Sequence, residues 1–294
     1  MTLEAPMRCS AQAEELGEPM IGSVDVRRRW LLVEDRSHWG EKAVRDVLGS
    51  AFEDGAKARG LRPLLIRHRE GPPEADALRR AFLIDTVTRE IAIRTIGDPV
   101  ELVLDELADA PIASFGDPAS EPIFLVCTNG RRDACCALRG RALLAALDVK
   151  NGPATWECTH LGGHRFAANL VCLPDGIVYG RVLPADGPRL AAAYRTGRLD
   201  PEFLRGRSAW PAPAQVAEGE LRRELGLAGV GDISLRSVEG GDEAAIVDLA
   251  TVDGSVHRFD LVAERTEPPR AISCRAEELE EPLHWRVTAS ARVE

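Results

Sequence analysis

The chain has 294 residues, of which 45% are hydrophobic and 29% are charged, and its formal net charge is −10. A chain of this length can form two globular domains with a sizeable apolar core. The acidic balance argues against a protein that binds nucleic acid through a basic surface.

The sequence contains no segment that predicts a membrane span or a signal peptide, because no apolar run approaches about 18 residues. Its seven cysteines lack the dense, regular spacing of a small secreted disulfide scaffold. We therefore expect a soluble protein of the reducing cytoplasm, in which cysteines are free thiols or metal ligands.

The first half of the chain is predicted to run strand, helix, strand, two further strands and a helix. A buried strand is expected at 28–35, the helix after it ends at Gly60, and a second strand begins at Leu61. A polar loop is expected at 70–77. The remaining predicted elements are the strands RRAFLIDTV and REIAIRTI and the helix PVELVLDELAD.

The second half repeats this order. Strands are predicted at 122–127 and 155–160 with a helix between them, and a hairpin with its turn at 174–176 follows. A helix at 186–197 completes the half. This is the element order of a thioredoxin-like domain, in which the first two strands are parallel and joined by a right-handed crossover.

We accordingly predict an α/β protein with two tandem thioredoxin-like units and a small C-terminal α+β extension. The expected domains are 1–117, 118–204 and 205–294. The last boundary is placed at the proline-rich stretch RGRSAWPAPAQ (205–215).

Two of the six histidines flank a pair of glycines in the stretch CTHLGGHRFAAN (158–169). His160 and His164 would share one face of a helix. However, Gly162 and Gly163 each cost a helix interior about 1 kcal/mol relative to alanine. We therefore predict a loop that turns both imidazoles toward one centre.

A pair of cysteines is expected to meet these histidines. Cys127 ends one predicted strand, and Cys136 follows after eight intervening residues, with Cys135 beside it. Loops that follow neighbouring parallel strands leave the same edge of a sheet, so Cys127 and Cys136 should lie near His160 and His164. Two thiolates and two imidazoles can bind a zinc ion or a [2Fe–2S] cluster. Structural zinc sites usually have about two to four residues between paired ligands, so the longer gap favours the cluster.

The segment between the two cysteines, TNGRRDA (128–134), suits such a cluster. Asn129 and Gly130 are predicted to form a turn, and Asp133 to cap the following helix. Backbone N–H groups of this loop are expected to donate hydrogen bonds to the cluster sulfurs. Arg132, Asp133 and Arg165 either tune the cluster electrostatically or serve only as a cap and surface charges.

The sequence resembles the sucrase/ferredoxin-like family, relatives of thioredoxin-like [2Fe–2S] ferredoxins. The matching stretches cover nearly the whole chain: CS (9–10), GEPMIGS (17–23), WLLVEDRSHWGEKA (30–43), CTNGRRDACCALRG (127–140), WECTHLGGHRFAANLVCLPDGIVYGRV (156–182) and GRSAWPAPAQVAEGELR (206–222). The resemblance implies a [2Fe–2S] cluster bound through Cys127, Cys136, His160 and His164. No carboxylate pair stands out that would support the sucrase part of the family name.

We therefore predict an iron–sulfur electron-transfer protein that works with an unidentified redox partner and is a carrier rather than a self-contained enzyme. Two alternatives remain open. One is a thiol–disulfide or peroxide oxidoreductase that uses Cys127 with Cys135 or Cys136, although no C-x-x-C motif is present. The other is a structural zinc-binding module.

The remaining cysteines are assigned no ligand role. Cys135 is the alternative to Cys136, whereas Cys158 and Cys172 are predicted to lie in the core. Cys9 and Cys274 are expected to be solitary, with no local partner that suggests a site. Because no cysteine occurs between residues 10 and 126, the N-terminal half is expected to serve a structural or docking role.

Overall fold

The computed structural model describes residues 8–68 and 78–293, and the loop predicted at 70–77 lies outside them. Within this part of the chain, a ten-stranded mixed sheet and a four-stranded antiparallel sheet are combined with seven α-helices. The helices are α1 (Cys9–Glu15), α2 (Ala43–Leu48), α3 (Ser50–Ala58), α4 (Leu104–Asp109), α5 (Ala134–Asn151), α6 (Gly187–Arg195) and α7 (Ala212–Leu225).

Eight strands of the large sheet lie close to the predicted positions, whereas its strands at Asp117–Pro118 and Leu204–Arg207 were not predicted. The large sheet contains β1 (Arg29–Glu34), β2 (Leu61–Arg67), β3 (Arg79–Asp85), β4 (Glu90–Ile96), β5 (Asp117–Pro118), β6 (Ile123–Cys127), β7 (Thr155–Cys158), β8 (Leu170–Leu173), β9 (Ile177–Tyr179) and β10 (Leu204–Arg207). The small sheet contains β11 (Ile233–Gly240), β12 (Ala244–Thr251), β13 (Val256–Arg265) and β14 (Leu283–Arg292).

The large sheet has the strand order β10-β9-β8-β6-β7-β2-β1-β3-β4-β5. The order β2-β1-β3-β4 in the first half recurs as β7-β6-β8-β9 in the second. In each half the first pair is parallel and the other two pairs are antiparallel. The halves join where β2 and β7 pair antiparallel, with Ile66 opposite Cys158. The predicted α/β class and the predicted repeat of element order are confirmed.

Side chains alternate between the two faces of the large sheet, as expected for strands buried on both sides. On one face, Val33 packs with Ala56 of α3, and Val126 packs with Leu143 of α5. The opposite face forms a single apolar cluster that extends across the β2–β7 junction. It includes Leu32, Ile66, Leu125, Cys127, Cys158 and Val171.

Two predicted helices differ from the observed ones. The first is divided into α2 and α3 by Gly49, whose φ of 88° is incompatible with a continuing helix. The stretch predicted as PVELVLDELAD begins instead with a 3₁₀ turn at Pro99–Glu101, and α4 starts only at Leu104. A proline in the first turn is compatible with both an α-helix and a 3₁₀-helix. The apolar spacing alone could therefore not distinguish these two helix types.

The stretch 205–215 contains regular structure rather than only a linker. Its first residues belong to β10, which pairs antiparallel with β9, and its last residues begin α7. Glu218 of α7 bonds Arg207 of β10 at 2.8 Å and Arg222 at 2.9 Å, and all three side chains are buried. This buried ion group ties α7 to the large sheet, while the apolar side of α7 packs on the small sheet.

Helix α5 crosses the end of β6 at very short range. A Cβ atom at Gly140 would lie 2.1 Å from the carbonyl oxygen of Cys127, closer than any real contact. The glycine therefore sets how near α5 and its first turn come to the end of β6.

We expect Gly140→Ala to destabilise the protein by about 1–3 kcal/mol, because the added methyl group must push α5 away from backbone atoms. Urea unfolding of the purified protein measures the change. Gly152→Ala is the matched control: Gly152 caps the same helix at φ −39° with no atom within 4 Å of a new Cβ. That variant should unfold at an unchanged or slightly higher urea concentration. Equal midpoints for the two variants would contradict the packing argument.

Candidate metal centre

The two predicted cysteine ligands come from adjoining elements. Cys127 is the last residue of β6, and Cys136 lies in the first turn of α5. Because β6 and β7 are parallel, with Cys127 opposite Cys158, the segment that contains His160 leaves the sheet at the same edge. The predicted route by which the cysteines and histidines meet is therefore confirmed.

The four predicted residues lie together. The ligand atoms of Cys127, Cys136 and His160 are all within 4.8 Å of one another. The Sγ atom of Cys136 lies 4.0 Å from Nδ1 of His164. The imidazole rings of His160 and His164 are stacked with centroids 4.2 Å apart and an interplanar angle of 18°. A thiol pair and an imidazole pair thus face each other at one edge of the sheet.

The loop after Cys127 is organised by its own side chains. The Asn129 side-chain oxygen accepts from the backbone N–H of Arg131 at 3.1 Å, and Asp133 caps α5 by accepting from the Cys135 N–H at 2.8 Å. Both roles were predicted. The Asn129 carbonyl, however, accepts the N–H groups of Arg132 and Asp133. The expectation that this loop turns its N–H groups toward a cluster is therefore wrong for these residues, because the turn itself uses them.

As the two glycines predicted, the loop that contains the histidines is not an α-helix. Gly162 has a φ of 88° and Gly163 a φ of 65°, in the region that favours glycine. A 3₁₀ turn at His164–Phe166 follows at once. The two reversals bring His164 back against His160.

A buried arginine, which the sequence did not single out, supports this loop. Arg205 of β10 is 2% exposed and donates to the Gly162 carbonyl at 3.3 Å and to the Asn169 side-chain oxygen at 2.8 Å. The Asn169 amide in turn donates to the Gly163 carbonyl at 3.0 Å. Arg205 also donates to the hydroxyl and the carbonyl oxygens of Ser23. The sequence offered no signal for this role, because an isolated arginine is usually an exposed cation.

The N-terminal half also contributes to the site. Arg62 of β2 donates to the carbonyl oxygen of His160 at 2.8 Å, and burial lowers its pKa. This contact depends on the β2–β7 pairing that joins the halves. The first half of the large sheet, which provides none of the four candidate ligands, therefore positions one of them.

The cysteines of the site are shielded from solvent, whereas the histidines are partly exposed. Cys127 and Cys136 are 2% and 1% exposed, whereas both imidazoles are half-buried. Hydrogen bonding from the Cys136 thiol lowers the pKa of Cys127. Burial lowers the pKa of His164 to about 4, so its imidazole is neutral at pH 7 and can offer a lone pair. His160 borders a cleft of about 350 Å³ that is lined by Lys42, Arg62, Arg132 and other polar residues.

The charged residues considered as tuning groups bond elsewhere. Arg132 pairs with Glu41 at 3.3 Å, and Arg165 pairs with the buried Glu18 at 2.7 Å. Both arginines act on His164 only through their charge, which lowers its pKa further.

The other cysteines fall into two groups. Cys158 and Cys172 are completely buried in the core, as predicted. Cys9 and Cys274 were expected to be solitary, and this is wrong: both lie within 3.6 Å of the Cys135 sulfur. The three positions are far apart in the sequence, so no local spacing could indicate that they meet.

Residues 20–206 match the family described as sucrase/ferredoxin-like. This match covers more than half of the chain, and the chain belongs to that family. The resemblance noted in the sequence is thereby confirmed at the level of the family.

Two curated proteins named Altered inheritance of mitochondria protein 32 are similar to part of the chain. The one from Meyerozyma guilliermondii is 32% identical over 77 residues, which cover 23% of this chain and 27% of that protein. The one from Eremothecium gossypii is 32% identical over 106 residues, which cover 31% of this chain and 34% of that protein. The matched stretches thus span about a third or less of these relatives. No solved structure matches the chain significantly.

The two glycines of the histidine loop provide a matched pair of variants. A Cβ at Gly163 would lie 2.3 Å from Nη2 of Arg205, whereas one at Gly162 would meet only a single atom, at 4.0 Å. Both residues have positive φ, so alanine at either position should cost about 1–2 kcal/mol of backbone strain.

We expect Gly163→Ala to cost a further 1–3 kcal/mol or so, because the new methyl group displaces the buried guanidinium. The difference is measured by urea unfolding of the two single variants side by side. A Gly162→Ala variant as unstable as Gly163→Ala would show that Arg205 does not limit the space at the loop.

Proposed function

We propose that this protein is an electron carrier that binds a [2Fe–2S] cluster through Cys127, Cys136, His160 and His164. The observation that carries the proposal is the convergence of two thiols and two imidazoles at the carboxyl edge of β6 and β7. The donor set fits such a cluster, in which two histidines replace two cysteines on one iron. The family to which the chain belongs supports the same reading.

We also propose that residues 1–117 and 118–204 are two thioredoxin-like units, followed by an extension at 205–294. The repeated strand order supports this division. Among the described residues, no helix is both long and apolar enough to cross a membrane. None of the seven cysteines forms a disulfide, which suits a reducing compartment such as the cytoplasm.

A bound cluster would supply one-electron redox chemistry, and the protein sets the conditions for it. Neutral imidazoles in place of two anionic thiolates reduce the negative charge of the ligand set and raise the potential. Arg62 and Arg205 hold buried positive charge at the histidine loop, which favours the reduced state further. The neutral form of His164 leaves its ring nitrogen free to bind a metal.

The ligands differ in exposure, and this difference favours electron transfer through the histidine side of the site. The buried thiols are shielded by the core, while both imidazoles are half-buried and His160 borders the 350 Å³ cleft. We place the contact with the unidentified redox partner on this histidine side. A thiol oxidoreductase would need an accessible nucleophile, which neither Cys127 nor Cys136 provides.

Purified anaerobically, the protein should be reddish-brown, contain two irons and two sulfides per chain, and give a Rieske-like EPR signal after reduction by dithionite. Cys136→Ser and His164→Ala should lose the signal because each removes a ligand. Cys172→Ser, a change in the core outside the site, and Cys135→Ser should both keep the iron. A colourless protein with one zinc ion, or with no metal at the site, would overturn the proposal.

Replacing an imidazole by a thiolate should lower the potential, because the ligand set becomes more negative. We expect His160→Cys to shift the midpoint downward by on the order of 100 mV or more, as the difference between Rieske and all-cysteine centres suggests. Voltammetry of the purified variant and of the unaltered protein measures the shift. An unchanged midpoint in a variant that retains its iron would exclude His160 as a ligand.

A further inference from the structure

Three cysteine sulfurs meet outside the proposed cluster site. Cys9 of α1, Cys135 of α5 and Cys274, in the segment between β13 and β14, form a compact triangle. The Sγ–Sγ distances are 3.6 Å for Cys9 and Cys135, 3.5 Å for Cys9 and Cys274, and 3.2 Å for Cys135 and Cys274. Cys9 and Cys135 are 1% exposed, whereas Cys274 is exposed and leaves the site open to solvent on one side.

The carboxylate of Asp133 completes a set of four donors. The ligand atoms of Asp133 and the three cysteines all lie within 4.8 Å of one another. Asp133 is fully buried, and its orientation is held by two backbone groups: Oδ1 accepts from the Cys135 N–H and Oδ2 from the Cys274 N–H, each at 2.8 Å. These bonds leave the Oδ2 atom 4.0 Å from the Cys9 sulfur.

The spacing of the sulfurs fits a single tetrahedral ion. Thiolates that share one zinc ion with Zn–S distances of about 2.3 Å lie about 3.8 Å apart. The observed separations of 3.6, 3.5 and 3.2 Å are shorter than that value, by about 0.6 Å at most, so a small outward movement of the sulfurs would admit the ion. An iron–sulfur cubane would bind the three sulfurs through three different irons and spread them wider. Three thiolates with a carboxylate form a set that borderline-soft zinc accepts.

The surroundings favour negative charge on the Cys135 sulfur. Cys135 lies in the first turn of the 18-residue helix α5, where the helix dipole stabilises anions. The Ser10 hydroxyl also donates a hydrogen bond to the Cys135 sulfur at 3.2 Å. Thiolates are the form in which cysteines bind metal ions.

Adjacent cysteines on α5 point into two different sites. Successive side chains on a helix differ by about 100° in direction. Cys136 accordingly faces Cys127 and the histidines, whereas Cys135 faces Cys9 and Cys274. Asp133 also lies near Cys136 and His164, but both of its oxygens accept N–H groups beside the three-cysteine site.

We propose that Cys9, Cys135 and Cys274, with Asp133 as the fourth donor, bind one zinc ion that is separate from the proposed cluster. Such an ion joins the N-terminal helix, the start of α5 and the C-terminal extension at a single point. It fixes helix α1 and the segment between β13 and β14 to the unit that contains the candidate cluster ligands.

The test is the metal content of the full-length protein purified anaerobically from cells supplied with iron and zinc. The unaltered protein and the core control Cys172→Ser should contain one zinc ion per chain. Cys9→Ser and Cys274→Ser should lose the zinc and retain the same iron content, the same visible spectrum and the same far-ultraviolet circular dichroism. If iron persists while zinc is lost, the zinc site is separate from the proposed cluster. If zinc persists in a protein that contains no iron, the result contradicts the cluster proposal alone.

Because serine variants could disturb α1, X-ray absorption at the zinc edge of the unaltered protein gives an independent measurement. Three sulfur neighbours at about 2.3 Å and one oxygen neighbour are expected. No zinc after incubation with zinc in reducing buffer, a disulfide between two of the three cysteines in alkylated protein, or loss of iron in place of zinc in Cys9→Ser would each overturn the proposal.

Discussion

The buried guanidinium of Arg205 is the contact on which the candidate metal centre depends. It donates to Ser23, Gly162 and Asn169, so it joins the N-terminal segment, the histidine loop and the residue that precedes β8. Burial lowers its pKa to about 9, which still leaves it protonated at neutral pH. Since the guanidinium occupies the space beside Gly163, the loop can hold its shape only with glycine there. The position of His164 follows from that shape.

The two halves of the large sheet share a strand order but differ in chemistry. The second half provides both cysteines and both histidines of the candidate centre. The first half adds the Arg62 contact to the carbonyl of His160 through the antiparallel pairing of β2 with β7. The two halves thus share an architecture, but the second contains the four candidate ligands and the first supports them structurally. The site lies at the carboxyl edge of the parallel strands β6 and β7, and Arg62 supports it from the amino end of the antiparallel neighbour β2.

The first turn of α5 organises two groups of thiols at once. Gly140 lets the helix approach the end of β6, which brings Cys136 near Cys127. The helix rotation sends Cys135 the other way, toward Cys9 and Cys274. Asp133 caps the helix and bonds the backbone at Cys274, so one carboxylate connects the helix start to the C-terminal extension. In our two proposals, the [2Fe–2S] cluster and the zinc ion are both bound at the N-terminal turn of α5.

The sequence alone determined the elements and most of the candidate centre, because apolar periodicity, turn residues and parallel strand topology act over short ranges. Most strands of the large sheet, the α/β class, the cap at Asp133 and the meeting of Cys127 with His160 were predicted from it. Tertiary structure alone decided the roles of Arg205 and Arg62 and the meeting of Cys9, Cys135 and Cys274. The contact of Arg205 with Ser23, that of Arg62 with His160 and those among the three cysteines join residues that are more than 90 positions apart in the chain. Such pairs arise from how helices and sheets pack, and no local spacing encodes that packing.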